Sequence, residues 1–218
     1  MIRETLKYFT SNKVVRNFIF ADLTLFGGWG LVSPIMAIFV VEEVKGANIV
    51  TVGILAGIYW AVRSTVQLPM AVLIEKSETE RDDLYLLIIG LLLVSASAFW
   101  LNFVDNLTKL YIFQIIYALG FAFYAASWAG IFSRHIEKNK AAISWSLDHT
   151  LLGIATGITG LAGGYLADKF GFNVIFIAVG ITSFLSAIII FIVPEVMFPG
   201  RRKSVAPIMN HSPKTVLK

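Results

Sequence analysis

Long apolar runs separated by short charged links recur along the chain, and each run is long enough to cross a bilayer. A helix needs about 20 apolar residues to span ~30 Å of hydrocarbon. Reading from charge to charge predicts spans near 17–41, 47–74, 84–104, 110–133, 142–167 and 171–194. The runs 84–104, 110–133 and 171–194 hold no formal charge, and the others hold one each: Asp22, Arg63 and Asp148. Links this short make neighbouring spans antiparallel hairpins. The expected fold class is an all-α membrane protein of six transmembrane helices.

Composition removes the alternatives. The chain is 57% hydrophobic and 15% charged, with a mean hydropathy of +0.76, whereas a soluble domain carries roughly a quarter of its residues charged. Without cysteine, disulfides, thiolate zinc sites and cysteine nucleophiles are excluded. His135, His149 and His211 are too scattered for an iron or zinc centre, so no metal and no cofactor is expected. A Gly-x-Ser-x motif and a His-Glu-x-x-His helix are both absent. No catalytic residue is assigned, and an intramembrane enzyme is not expected.

Charge sets orientation, because Lys and Arg gather in cytoplasmic loops. Arg3, Lys7, Lys13 and Arg16 precede the first span, Lys76 and Arg81 follow the second, and Arg134, Lys138 and Lys140 follow the fourth. Arg201, Arg202, Lys203, Lys214 and Lys218 follow the last, while the alternate links hold only Lys45, Lys109 and Lys169. Both termini are therefore expected in the cytoplasm, with the chain in the plasma (inner) membrane. The net charge of +4 is topological and no sign of nucleic-acid binding. The basic start resembles a signal peptide, but the apolar run is too long and no small-residue cleavage site closes it, so it reads as a retained span.

An offset of 93 residues lays 27–76 onto 120–169 without a gap. Gly27 meets Gly120, Ile38-Phe39 meets Ile131-Phe132, and Leu73-Ile74-Glu75-Lys76 meets Leu166-Ala167-Asp168-Lys169. The offset covers three helices, so the copies have opposite topology, an arrangement found in transporters. The expected organisation is a segment 1–16, a three-helix repeat 17–104, a second repeat 105–198 and a basic cytoplasmic tail 199–218. Spans 3 and 6 lack ionisable residues and read as outer, supporting helices; spans 1, 2, 4 and 5 hold most of the polar and large aromatic groups.

Particular stretches carry a family resemblance. Gly27-Gly28-Trp29-Gly30-Leu31 before Pro34-Ile35, Ser133-Arg134 with Lys140-Ala141-Ala142, and the glycine series Gly153, Gly157, Gly160, Gly163, Gly164 are three of them. The most specific is Gly163-Gly164-Tyr165-Leu166-Ala167-Asp168-Lys169-Phe170-Gly171-Phe172. Together they resemble one six-helix half of the major facilitator superfamily, whose full members have twelve helices. The loop after span 2 departs from the family's pattern: it keeps a carboxylate at Glu75 but lacks the glycines and most of the basic charge. The fifth span has Gly160 where drug antiporters carry proline, so an antiporter label is unsupported. In the resembled family, spans 1 and 4 line the cavity and spans 2 and 5 flank it.

Charges within hydrocarbon cost about 2.5–3.5 kcal/mol each on insertion scales, so each needs a reason. Asp22 and Asp148 fall near the same depth and Arg63 near the midplane, where Arg63 is within reach of pairing with either carboxylate. One reading is a structural ion pair; the other is a carboxylate that exchanges a proton, with Arg63 tuning it or binding an anionic substrate. His149 could join a relay, but adjacent helical residues point about 100° apart, so at most one of Asp148 and His149 faces a cavity squarely. Helical spacing also aligns Trp29 with Asp22, Trp60 and Gln67 with Arg63, and Gln114, Tyr117, Tyr124 and Trp128 with one another. Trp100, Trp128 and Trp145 suit an interfacial belt. Gly153/Gly157 and Gly160/Gly164 have small-xxx-small spacing for helix contact, and Asp168, Lys169 and Gly171 suit a capped turn.

The function expected is proton-coupled secondary transport of a small solute, by symport or antiport. Half a family fold leaves its polar faces open, so a twelve-helix homodimer working by alternating access is expected, or a pairing with another six-helix half. The competing reading is a non-transporting scaffold or assembly protein, motivated by the degenerate 71–81 loop.

Overall fold

The computed structural model describes residues 12–76, 80–137 and 139–192. Outside them lie the segment 1–11 with Arg3 and Lys7, residues 77–79, Lys138, and everything from 193 onward, including the tail cations and His211.

Within the described residues the helices are α1 (Lys13–Val32), α2 (Met36–Glu43), α3 (Ile49–Lys76), α4 (Glu80–Trp100), α5 (Leu107–His135), α6 (Ala141–Phe170) and α7 (Phe172–Phe191). A 3-10 turn, Leu101–Phe103, follows α4. Helices α3 to α7 are each long and apolar enough to cross a membrane, and α1 and α2 are long and apolar enough only when taken together across a bend of 43°. Five of the predicted spans thus recur as single helices, with their ends displaced by a few residues, and the first predicted span corresponds to α1 and α2 together. Proline explains the break: Pro34 has no N–H to offer the Gly30 carbonyl, and its ring crowds that carbonyl.

Asparagine starts three of these elements. Asn12 and Asn106 accept from the backbone N–H of Val15 and Lys109 at 3.1 Å, capping α1 and α5. Asn48 Oδ1 accepts from Val50 N at 2.9 Å and Thr51 N at 3.2 Å at the start of α3; each bond satisfies a donor that the first helical turn leaves over. Between α6 and α7 the turn is a single residue, Gly171, at φ +80°, where a side chain would be strained. Gly171 is itself the N-cap of α7 and brings no side chain to it, so the turn rests on the glycine backbone. Lys169 Nζ instead donates to Tyr165 Oη at 2.9 Å.

The end holding Asn12, Lys76, His135 and Ala141 is called proximal here, and the other distal. Helix α1 packs along α6 and α7, α5 packs along α3 and α4, and α4 and α7 pack on each other. The α4–α5 crossing is close because two glycines meet: a Cβ on Gly90 would lie 2.8 Å from Gly120 O. Ser95 Oγ donates to Gly180 O at 2.8 Å between α4 and α7, satisfying a hydroxyl buried in an otherwise apolar wall of Leu87, Leu91, Val94, Phe176 and Val179.

The sequence reads spans 3 and 6 as the outer helices. In this chain α3 and α6 are the more exposed, each lying chiefly against one neighbour. Trp60 of α3 is 60% exposed and Leu161 of α6 is 84% exposed. Polarity along a helix indicates what its faces require, whereas burial records what this chain alone puts over them.

Candidate functional site

Helical spacing explains how α1 and α5 build the polar centre. Asp22, Phe26 and Trp29 share one face of α1; Tyr117, Phe121, Tyr124 and Trp128 share one face of α5. The faces meet side chain to side chain. Trp29 and Tyr117 have ring centroids 4.5 Å apart, and Phe26 lies 5.9 Å from both Phe121 and Tyr124. Such ring pairs are worth about 0.5–1.5 kcal/mol beyond their buried area. Trp29 is also tied to α7, its indole N–H donating to Ser183 Oγ at 3.2 Å.

Below this seam, toward the proximal end, Tyr124 Oη donates to Asp22 Oδ1 at 2.5 Å. Asp22 is 2% exposed and Asp148 1%, and the two carboxylates are within electrostatic reach of each other. Trp128 stands beside Asp22, yet among the described residues its indole N–H finds no acceptor in good geometry and Asp148 Oδ1 finds no donor. Asp148 and His149 divide as helical geometry requires: Asp148 points inward, while the His149 side chain is 70% exposed with Nδ1 4.0 Å from Asp148 Oδ2.

Arg63 differs from the pairing that its depth allows. No described carboxylate lies within ion-pair distance of it. Its Nε donates to Gln67 Oε1 at 3.1 Å and its Nη1 to Tyr59 Oη at 2.5 Å, while the Tyr59 and Trp60 rings stand 5.6 Å and 5.5 Å from Cζ. Tyr59 and Gln67, four residues before and four after it on its own helix, engage the guanidinium instead.

Above the polar centre a cavity of about 970 Å³ opens in the distal half. Trp29, Ser33 and Pro34 line it from α1 and the bend, Leu55 and Ala56 from α3, Phe113, Gln114 and Tyr117 from α5, and Gly153, Thr156, Gly157 and Gly160 from α6. Gln114 is held in place by donating Nε2 to Leu55 O at 2.9 Å. Proximally the same bundle is shut: Phe18, Trp128, Phe132 and Trp145 form one aromatic cluster, with Trp128 and Phe132 stacked at 4.4 Å. Trp128 is therefore an interior plug and no part of an interfacial belt. Asn12 Nδ2 donates to His135 O at 2.9 Å and ties the start of α1 to the end of α5.

The glycines of α6 divide by face. Gly153, Gly157 and Gly164 meet nothing within 4 Å, and Gly160 only approaches Gly30 O at 3.7 Å. Close contact falls instead on Gly163, whose added Cβ would lie 2.1 Å from Leu31 O. Of the residues with small-xxx-small spacing only Gly160 touches α1, which crosses α6 along Thr156, Gly160 and Gly163.

Sequence reasoning also missed an ion pair. Arg134 Nη2 donates to Asp83 Oδ2 between α5 and α4, with the Asp83 side chain fully buried. Both residues flank their predicted spans by one position and read there as loop charges. Glu75 lies near the proximal end of α3 and is exposed, away from the cavity and the buried carboxylates.

The chain is 25% identical over 166 residues to a protein of Methanocaldococcus jannaschii described as an uncharacterized MFS-type transporter. That match covers 74% of this chain and 40% of the relative, so the chain spans less than half of the protein it matches. The family profile of the Major Facilitator Superfamily matches residues 18–215, a range that takes in the seam, the buried carboxylates and the cavity, and the chain belongs to that superfamily.

Proposed function

We propose that the chain is one six-helix unit of a secondary transporter for a small solute, that two such units pair to enclose the transport path, and that a proton drives it. The observation that carries this reading is where the cavity opens: it is bounded by α1, α3, α5 and α6, and α3 and α6 are the helices whose outer faces this chain leaves bare. A second six-helix unit laid against α3 and α6, about an axis along the membrane normal, closes the cavity. A second copy of this chain meets the requirement, and a different six-helix half is the alternative.

The neighbour pattern supports two inverted three-helix repeats, 17–104 and 105–198. Exchanging span 1 with 4, 2 with 5 and 3 with 6 converts the α1–α6 packing into α5–α3 and the α1–α7 packing into α5–α4. The 93-residue offset also carries α3 (49–76) onto 142–169, one residue inside α6 at each end. Proximal closure by the aromatic cluster, with a distal cavity, fits one of the two states of alternating access. The positive-inside rule then makes the proximal side cytoplasmic, in the plasma (inner) membrane. Asp22 and Asp148, buried without a Lys or Arg partner among the described residues, are the groups for proton exchange, because a proton on Asp148 relieves their repulsion.

The protein mass of the purified particle in lipid nanodiscs, lipid subtracted, is the first test. Twice 24.1 kDa is the expected value, followed by solute uptake into proteoliposomes that responds to an imposed pH gradient. A particle of one chain that carries no solute would sink the paired-transporter reading.

A further inference from the structure

Arg63 is a cation without a countercharge among the described residues, at the depth where that is most costly. It lies roughly 20 Å from either end of α3 at about 1.5 Å rise per residue, too deep to snorkel to either interface or to meet a lipid phosphate. Neutral partners on its own helix, Gln67 and Tyr59, hold its Nε and Nη1. They orient the guanidinium without neutralising it, and no hydrogen bond engages Nη2 among the described residues. The Tyr59 and Trp60 rings occupy its flanks, so a ligand approaches in the plane of the fork, which suits the two coplanar oxygens of a carboxylate.

A second copy cannot supply the missing charge from within the membrane. Asp22 and Asp148 are enclosed in their own unit, 2% and 1% exposed. The cluster is joined to the cavity through rings: Tyr59 lies 5.4 Å from Tyr117, which lines the cavity with Trp29, Phe26 and Phe113. A single positive charge beside an apolar chamber is complementary to a monoanion with an apolar body.

We infer that Arg63 is the anchor of a substrate carboxylate, and that the solute is a small organic monocarboxylate whose body occupies the aromatic cavity. The inference rests on the transport reading, but binding can be measured without transport. Purified protein in nanodiscs is titrated with radiolabelled benzoate at constant ionic strength, with unlabelled hexanoate and the uncharged isostere benzamide as competitors. Saturable binding is expected, displaced by hexanoate and not by benzamide. Arg63→Ala should abolish it, and Arg63→Lys, which keeps the charge but loses the planar fork, should weaken it about tenfold. Absence of saturable binding, equal competition by benzamide, or undiminished binding by Arg63→Ala would each overturn the assignment. The benzamide competition is made on the wild-type protein and holds even where a variant misfolds. Arg63-dependent binding without flux in proteoliposomes would remove the transport reading and leave the site. Pairing with flux of an uncharged solute, undiminished in Arg63→Ala, would do the reverse.

Discussion

Asp22→Asn is expected to reduce pH-driven accumulation in proteoliposomes to the level of protein-free vesicles, while solute exchange without a gradient persists. The substitution conserves volume at a site 2% exposed, and the amide oxygen still accepts from Tyr124, whose hydroxyl lies 2.5 Å from Asp22 Oδ1. The fold should therefore survive, because the amide keeps the shape of the carboxylate and the acceptor that the Tyr124 hydroxyl needs. What the amide cannot do is gain and lose a proton at neutral pH. Asp148→Asn is the companion measurement, since the carboxylates lie within electrostatic reach of each other: loss of coupling in both variants marks them as one site. Tyr124→Phe should change the pH at which uptake is half-maximal without abolishing it, because it removes the hydroxyl donor to Asp22. Wild-type accumulation by Asp22→Asn under the same gradient would show that the carboxylate only packs helices.

The spans were legible because about twenty apolar residues in a row seldom occur outside a membrane, and charges bounded them at nearly the observed ends. The two faces that meet in the α1–α5 seam were each legible for a related reason: Asp22, Phe26 and Trp29 repeat at helical spacing, and so do Tyr117, Phe121 and Tyr124. What periodicity cannot supply is the partner of a face. Nothing local distinguishes Trp128 in a buried cluster from a tryptophan at the lipid interface, because both are aromatics near a helix end. Arg63 was legible as an anomaly but not as an unpaired one, since from near the midplane its long side chain can reach the depth of Asp22 or Asp148, while the direction it takes depends on how α3 rolls against α5. Asp83 and Arg134 escaped notice because a charge just outside an apolar run is readily solvated and so reads as a loop residue. Only packing shows that Asp83 is buried.

Gly163 and Gly164 give the sharpest contrast available to mutation, because neighbours in sequence should respond with opposite signs. Helix α1 crosses α6 so closely that a Cβ on Gly163 would meet Leu31 O at 2.1 Å, Leu31 C at 2.8 Å and Leu31 Cα at 2.9 Å. These are backbone atoms, so no rotamer change relieves the contact, and the helices themselves must separate. Overpacking of this kind costs about 1–3 kcal/mol, which exceeds the gain of about 1 kcal/mol from replacing a helical glycine by alanine. Gly164 has nothing within 4 Å of its added Cβ and keeps that gain without the clash. Gly163→Ala is therefore expected to lower the melting temperature of the purified protein by several degrees, and Gly163→Val to lower it further and reduce the folded yield. Gly164→Ala should melt at or slightly above wild type. The crossing also adjoins the Ser33–Pro34 bend and Gly160, which line the cavity, so parting α1 from α6 should open a leak for small solutes in proteoliposomes as well. Equal melting of the two alanine variants would mean that α1 does not cross α6 at Gly163, and would remove the wall on which the cavity depends.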